Sequence, residues 1–320
     1  MAALALGIIG FGIMGERLLR QALPHPAFRL SGIWDPSPAA AARLAAADPE
    51  LRMAADAEAV IAGCDTLYVA APPAAHIPLA RAALKAGKAV LLEKPLATDP
   101  VEAAAFVAEA EAMGARAAVN FPMASSPAVA QLRAWREEIG APQRLEIETH
   151  FARWPRGWQQ DAASWLSRRA EGGFTREVVS HFLFLTRRQL GPLELISAKP
   201  EYPAGDLAET GIAAELTAGG IPLRLTGSVG RIAEDEANAW TLTAARGAIR
   251  LRNWSLAERL GDDGQWHMAP DAIPNERMRP MTLRGQMDKL AAMTRGEPHA
   301  LATLREALEV QTVVEAMLAG

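Results

Sequence analysis

Three groups of residues in this 320-residue chain have types and spacings that chemistry can use. Gly10-Phe11-Gly12-Ile13-Met14-Gly15 follows an apolar run and opens a helical stretch. In such a loop the first glycine permits a tight turn, the second lets backbone approach a pyrophosphate, and the third lets helix pack close to strand. Phosphate then meets the unpaired amides of a helix N-terminus. Asp35 ends the next apolar run, twenty positions after Gly15. A carboxylate there accepts hydrogen bonds from the adenosine ribose hydroxyls and repels a 2′-phosphate. These seven residues predict dinucleotide binding with NAD as the cofactor; Ser37 and Arg43 keep NADP open. The plain alternatives are a structural glycine turn and an Asp-Pro turn. The second group is Glu177 and His181, four apart, which a helix places on one face. A histidine can take or return a proton near neutral pH, and a carboxylate one turn away can orient it. The same pair also fits an ordinary half-exposed helix. The third group is lysine, scarce at five (Lys85, Lys88, Lys94, Lys199, Lys289) against 28 arginines.

The elements that must position these groups follow from apolar patterning. Strand-like runs at 4–9, 29–35, 66–71, 89–93 and 116–121 alternate with alanine-rich helical stretches near 14–23, 38–47, 75–86 and 100–113. Several runs are almost wholly apolar, as in a parallel sheet covered on both faces, which predicts a doubly wound Rossmann domain over 1–121. After a helix near 126–139 the pattern changes. Leu145, Ile147, Thr149 and Phe151 alternate with Glu146, Glu148 and His150, and further strands are expected at 193–201, 209–217, 222–231, 238–246 and 248–254. Gly261-Asp262-Asp263-Gly264 has the composition of a hairpin turn. The links are too short for parallel crossovers, so 122–320 is expected to be an α+β domain with a large, mainly antiparallel open sheet. Helices are expected near 174–189, 281–294 and 302–318, and the first carries Glu177 and His181. The fold class is α/β.

Composition bounds the function further. Half the residues are hydrophobic, 22% are charged and the net charge is −4, so nothing is built to coat nucleic acid or an anionic membrane. No apolar stretch is long enough to span a bilayer, and the start lacks a basic leader region. The single cysteine, Cys64, can form neither an internal disulfide nor a cysteine-based metal site, which points to the reducing cytoplasm. The six histidines lack metalloprotease spacing and no G-x-S-x-G elbow occurs, so no metal and no serine nucleophile are expected.

Two more segments, VAAPPAAH at 69–76 and GKAVLLEKPLA at 87–97, complete a pattern. With the glycine loop, they resemble the glucose-fructose oxidoreductase, inositol dehydrogenase and rhizopine-catabolism (Gfo/Idh/MocA) family. The resemblance covers the first domain and continues more loosely to the C-terminus. It implies that Lys94, in Glu93-Lys94-Pro95, is catalytic, lying beside the nicotinamide and stabilising charge on the substrate oxygen. It also implies cofactor contacts from Ala71, Pro72, His76 and Glu93. EGGFTREVVSH at 171–181 resembles the family's Gly-Gly-Gly-x-x-x-Asp-x-Gly-x-His helix, with Glu177 in the aspartate position and His181 in the histidine position. His181 is then the acid-base group and Glu177 its partner. Three departures stand out: glutamate at Glu177, Val179 for glycine, and Phe184 where a second aspartate often follows. The last favours a less hydroxylated substrate.

Asn120, Arg153, Trp154 and Trp158, together with Glu177 and His181, are candidate substrate contacts. Arginine can grip a carboxylate with two hydrogen bonds, and tryptophan supplies flat contact area. Each tryptophan could equally serve packing. The expected protein is a nicotinamide-dependent dehydrogenase or reductase acting on a small alcohol or carbonyl compound such as a sugar or polyol, assembled as a homodimer or homotetramer. Rival readings are an imine or keto-acid reductase, a glycosidase that retains NAD, and a non-catalytic NAD(P)-binding sensor.

Overall fold

The computed structural model describes residues 2–320, which form two compact units. One runs to Ser125 and takes in Pro280–Leu308; the other comprises Ser126–Arg279 and Glu309–Gly320.

The first unit begins β1 (Leu4–Ile9), α1 (Ile13–Ala22), β2 (Phe28–Trp34), α2 (Pro38–Ala47), α3 (Ala57–Gly63), β3 (Thr66–Val69) and α4 (His76–Lys85). It continues with β4 (Ala89–Leu92), α5 (Pro100–Ala112) and β5 (Ala117–Val119). These strands are parallel, in the order β2-β1-β3-β4-β5. Every residue of β3 and β4 is buried, which explains their unbroken apolar runs. The strand order reverses between β1 and β3, and doubly wound sheets bind ligands at such a point, beyond the carboxyl ends of the strands. Asp56 and Asp99 cap α3 and α5, accepting from the N–H groups of Ala59 at 2.7 Å and Val101 at 2.8 Å. By contrast α1 starts from Gly12, with no side-chain cap among the described residues.

The second unit holds α6 (Pro127–Glu138), β6 (Pro142–Phe151) and α7 (Ala163–Leu166), then a π-helical turn (Thr175–Val179) that runs into α8 (Ser180–Leu190). Seven strands follow: β7 (Leu193–Glu201), β8 (Gly211–Ala218), β9 (Ile221–Val229), β10 (Glu236–Ala244), β11 (Gly247–Arg252), β12 (Leu256–Leu260) and β13 (Trp266–Met268). The sheet order is β13-β12-β11-β10-β6-β9-β8-β7, and all neighbours are antiparallel except β6 and β9. That pair can run parallel because α7, α8 and two strands separate it in sequence. Leu145, Ile147, Thr149 and Phe151 face inward as their alternation requires. α8 lies against β7 and β8 and buries Phe182, Leu183, Phe184 and Leu185. The Trp240 indole donates to Thr186 Oγ1 at 2.9 Å, pinning β10 to the same helix.

The chain ends with α9 (Asn275–Arg295), β14 (Ala302–Thr303) and α10 (Leu304–Ala319). The boundary between units falls inside α9 at Pro280, whose missing N–H interrupts the helical ladder. Beyond it, Met287, Leu290, Ala291 and Met293 join Leu6, Ile8, Leu18, Tyr68 and Leu91 in one apolar core. β14 then pairs antiparallel with β5. α10 carries the chain back to the second unit, where Arg187 meets Glu309 and Arg176 meets Glu315, both at 2.7 Å. A sequence division at 121/122 takes no account of this return, because helical spacing marks a buried face without naming the core that receives it. Among the described residues no helix is long and apolar enough to cross a membrane.

Leu290 is fully buried in the core of the first unit. Leu290→Ala should therefore cost about 2–5 kcal/mol in chemical denaturation. A loss below about 1 kcal/mol would contradict the packing of α9 in that core.

Candidate functional site

The glycine loop leaves β1 and turns into α1. Gly10 has φ +91°, and a Cβ there would stand 2.4 Å from the Ala70 carbonyl carbon and the Ala71 nitrogen. A Cβ at Gly15 would stand 2.3 Å from the Gly10 carbonyl oxygen. Both glycines are thus fixed by close backbone approach. Gly12 differs: it is exposed, with nothing within 4 Å of a Cβ position. Phe11 sends its ring into the core, while Ile13 and Met14 are half-buried. Asp35 Oδ2 accepts from the Phe11 N–H at 2.7 Å and Oδ1 from the Ser37 N–H at 2.8 Å. The acidic residue therefore grips the glycine loop itself. An uncapped ten-residue helix, open space at Gly12 and a carboxylate beside the loop fit a dinucleotide.

Lys94 lies half-buried just beyond β4. Its neighbour Glu93 is buried, and Oε1 accepts hydrogen bonds from the Tyr68 hydroxyl and from Asn120 Nδ2, the latter at 2.6 Å. Asn120 has no exposed surface, and its Oδ1 accepts from Gln286 Nε2 of α9 at 2.8 Å. Gln286 Oε1 in turn accepts from Ser125 Oγ at 2.5 Å, and the Lys289 ammonium donates to that hydroxyl at 2.7 Å. Burial, reinforced by the Glu93 charge, pushes the Tyr68 phenol well above its ordinary pKa, so Tyr68 is a permanent donor. The Asn120 amide, a candidate substrate contact by sequence, is occupied at both ends inside the unit.

His76 opens α4 and is buried. Its Nδ1 lies 2.8 Å from the Pro95 carbonyl and its Nε2 2.9 Å from the Ala71 carbonyl. The ring thus joins the loop after β3 to the turn that follows Lys94. Burial lowers its pKa; the two carbonyls oppose that shift and the Lys94 charge adds to it. A neutral ring donates to one carbonyl at a time. Pro72 is exposed and Ala71 half-exposed beside the glycine loop.

In the second unit, Glu177 sits in the π-helical turn and His181 in the first turn of α8. Glu177 Oε1 accepts from Gln159 Nε2 at 3.1 Å and lies 3.8 Å from Arg156 Nη2. The Arg156 guanidinium is enclosed by the rings of Phe151, Trp154 and Trp158, with centroids at 5.9, 5.6 and 4.7 Å. It also donates to Gln159 Oε1 at 2.8 Å and Glu236 Oε2 at 3.0 Å. Glu236 Oε1 accepts from the Trp254 indole at 3.0 Å, and that indole meets His181 edge-on at a centroid distance of 5.5 Å. A continuous cluster therefore runs from Glu177 through Arg156 and Glu236 to Trp254 and His181.

Trp154 packs against Phe151 and Phe174 and donates to the Leu166 carbonyl at 3.0 Å, a structural placement. Trp158 is 43% exposed, and Arg153 is exposed with no ion pair among the described residues. Phe184 is 1% exposed with Arg188 over its ring, so the position of the absent aspartate is an interior one. Glu209 is also buried; its Oε1 accepts from the Thr175 N–H at 2.7 Å, where the π-helical turn begins. Gly173 has φ +100°, a backbone conformation that favours glycine, and a Cβ there would stand 2.2 Å from Glu209 Oε2. Burial raises the Glu209 pKa, with the Thr175 N–H opposing it. Sequence reading missed Arg156, Gln159, Glu236, Trp254, Tyr68 and Gln286. None stands in a motif, and only folding brings them to their partners.

Residues 4–121 match the sequence model of Gfo/Idh/MocA, an oxidoreductase family with an NAD-binding Rossmann fold. Over those residues the chain is similar to the NAD-binding domain of that family. A curated relative, UDP-N-acetylglucosamine 3-dehydrogenase of Acidithiobacillus ferrooxidans, is 32% identical over 151 residues, 46% of this chain and 46% of its own. That sequence match spans about half the length of the relative. A solved structure of UDP-N-acetylglucosamine 3-dehydrogenase from that organism has a TM-score of 0.79 at 21% identity, covering 100% of this chain and 98% of its own. An Agrobacterium radiobacter oxidoreductase solved with NAD+, L-tartaric acid and magnesium has a TM-score of 0.83 at 16% identity, covering 100% and 97%. At these identities the likeness shows the fold alone, along the whole chain.

The different surroundings of Gly12 and Gly15 make a matched pair of variants informative. Gly12→Ala should leave thermal stability within about 1 kcal/mol yet weaken NADH binding at least about tenfold, because its methyl group occupies the phosphate approach. Gly15→Ala should instead destabilise the fold. Equal NADH affinity in Gly12→Ala and wild type would contradict the cradle.

Proposed function

We propose that the protein is an NAD-dependent dehydrogenase or reductase acting on a CH–OH or C=O carbon of a sugar, polyol or related hydroxy compound. The observation that carries this reading is the family match over 4–121 on a loop that is uncapped, open at Gly12 and held by Asp35. Gly10 to Gly15 and Asp35 would hold NAD, which supplies a two-electron hydride acceptor or, reduced, a donor. Ala71, Pro72 and His76 shape the neighbouring loop.

Lys94 donates a hydrogen bond to the oxygen on the reacting carbon and stabilises its negative charge. In oxidation His181 takes the hydroxyl proton, and in reduction it returns one. Glu177, steadied by Gln159 and Arg156, orients the imidazole and stabilises its protonated form. Glu93 and Asn120 position Lys94 from inside the unit. Arg153 and Trp158 are proposed substrate contacts because they present a cation and an aromatic face outward. The exposed arginine also favours a second reading, in which the substrate bears a carboxylate, as in keto-acid or imine reduction. A homodimer or homotetramer is proposed, assembled through the open sheet of the second unit. The lone buried thiol, Cys64, suits a reducing cytoplasm.

Steady-state assays with NADH and carbonyl compounds, or NAD+ and sugars, test this reading. Lys94→Ala and His181→Ala should each lower turnover by about 100-fold or more, while NADH titration by fluorescence stays near wild type. Undiminished turnover in either variant would remove that residue from the mechanism. Tight NADH binding with no turnover across the panel would favour a sensor.

A further inference from the structure

The residue immediately after the glycine loop engages two arginines at once. Glu16 Oε1 accepts from Arg20 Nη2 at 2.6 Å and Nε at 3.1 Å, while Oε2 accepts from Arg43 Nη1 at 3.2 Å. Arg20 is on α1 and Arg43 on α2, so the carboxylate bridges the two helices. The groove between them is lined by Glu16, Arg20, Arg43 and three alanines, Ala39, Ala46 and Ala47, whose short side chains leave it open.

α2 begins three residues after Asp35, the position that meets the adenosine ribose in dinucleotide-binding sheets. Dinucleotide folds that accept NADP place an arginine near this position for the 2′-phosphate. Arg43 has the right chemistry, since a guanidinium forms paired hydrogen bonds with phosphate. Its Nη1 is already directed to Glu16. The carboxylate is also a strong partner: burial alone would raise its pKa, but the hydrogen bonds from Arg20 and Arg43 outweigh that and hold it below the ordinary value. Glu16 therefore stays charged throughout the neutral range.

We propose that Glu16 is a cofactor-selectivity residue: by holding Arg43 and Arg20 it withholds the cations a 2′-phosphate needs. The inference rests on the reading of Gly10 to Gly15 as a dinucleotide cradle. It adds to the role of Asp35, which acts by its own charge. Neutralising Glu16 leaves two arginines uncompensated in the groove, so the preference should move toward the phosphorylated cofactor.

The test is direct titration of NADH and NADPH into wild type, Glu16→Gln and Glu16→Gln/Arg43→Ala, which requires no substrate. Wild type should bind NADH more tightly than NADPH. Glu16→Gln should bind NADPH about tenfold more tightly than wild type, with NADH affinity changed less than about threefold, and the double variant should lose the gain. Unchanged NADPH affinity in Glu16→Gln with normal NADH binding would overturn the proposal, as would a gain that survives loss of Arg43. Wild type binding neither nucleotide would overturn the cradle itself, an outcome separate from the other two.

Discussion

A single carboxylate inside the first unit ties its parts together. An ionised group in a protein interior costs several kcal/mol unless hydrogen bonds replace its water. Glu93 is 7% exposed, and its needs are met by Tyr68 from β3 and Asn120 at the end of β5. Asn120 is held in turn by Gln286 of α9, a residue separated from it by 166 positions. Two strand ends and a late helix are therefore fixed by one buried charge. Lys94 is the next residue along the backbone. His76 holds the other side of its turn through the Pro95 carbonyl. The ammonium proposed for the chemistry is thus presented from a backbone that has little freedom to move, as positioning would demand.

The second unit repeats the principle with the opposite sign. Here the organising charge is the Arg156 guanidinium, enclosed by three aromatic rings and paired with Glu177 and Glu236. Through Glu236 and Trp254 the same cluster reaches His181. Glu209 fixes the start of the helical segment that carries both Glu177 and His181. The segment contains a π-helical turn, a geometry found often at functional sites. The proposed acid-base group, His181, and its proposed partner, Glu177, therefore lie on a helical segment supported by buried, hydrogen-bonded neighbours.

The tight turn of the glycine loop was legible because its demands lie in local spacing: Gly10 and Gly15 leave no room for a Cβ, and Gly12 is open. The alternation in β6 was equally plain. What stayed hidden has a common cause. Tyr68 reads as one more residue in a buried strand, and Gln286 as a polar position on a packing helix. Nothing local in either says that it meets a carboxylate or an amide far away in sequence. Arg153 and Arg156 flank the same tryptophan-rich loop, and only its curl into a 3-10 turn at Gly157–Ala162 decides that Arg156 faces inward. The π-helical turn left no mark because Glu177 and His181 keep a spacing of four. Short elements such as α3, β13 and β14 lie below the length at which periodicity speaks.

The measurement closest to the central claim compares Glu93→Gln with wild type in two quantities, NADH affinity and turnover of a substrate that wild type converts. The variant keeps the size of the side chain and removes its charge. If the buried carboxylate positions Lys94, NADH affinity should stay within about threefold while turnover falls by about 100-fold. A folded Glu93→Gln variant with wild-type turnover would contradict the account.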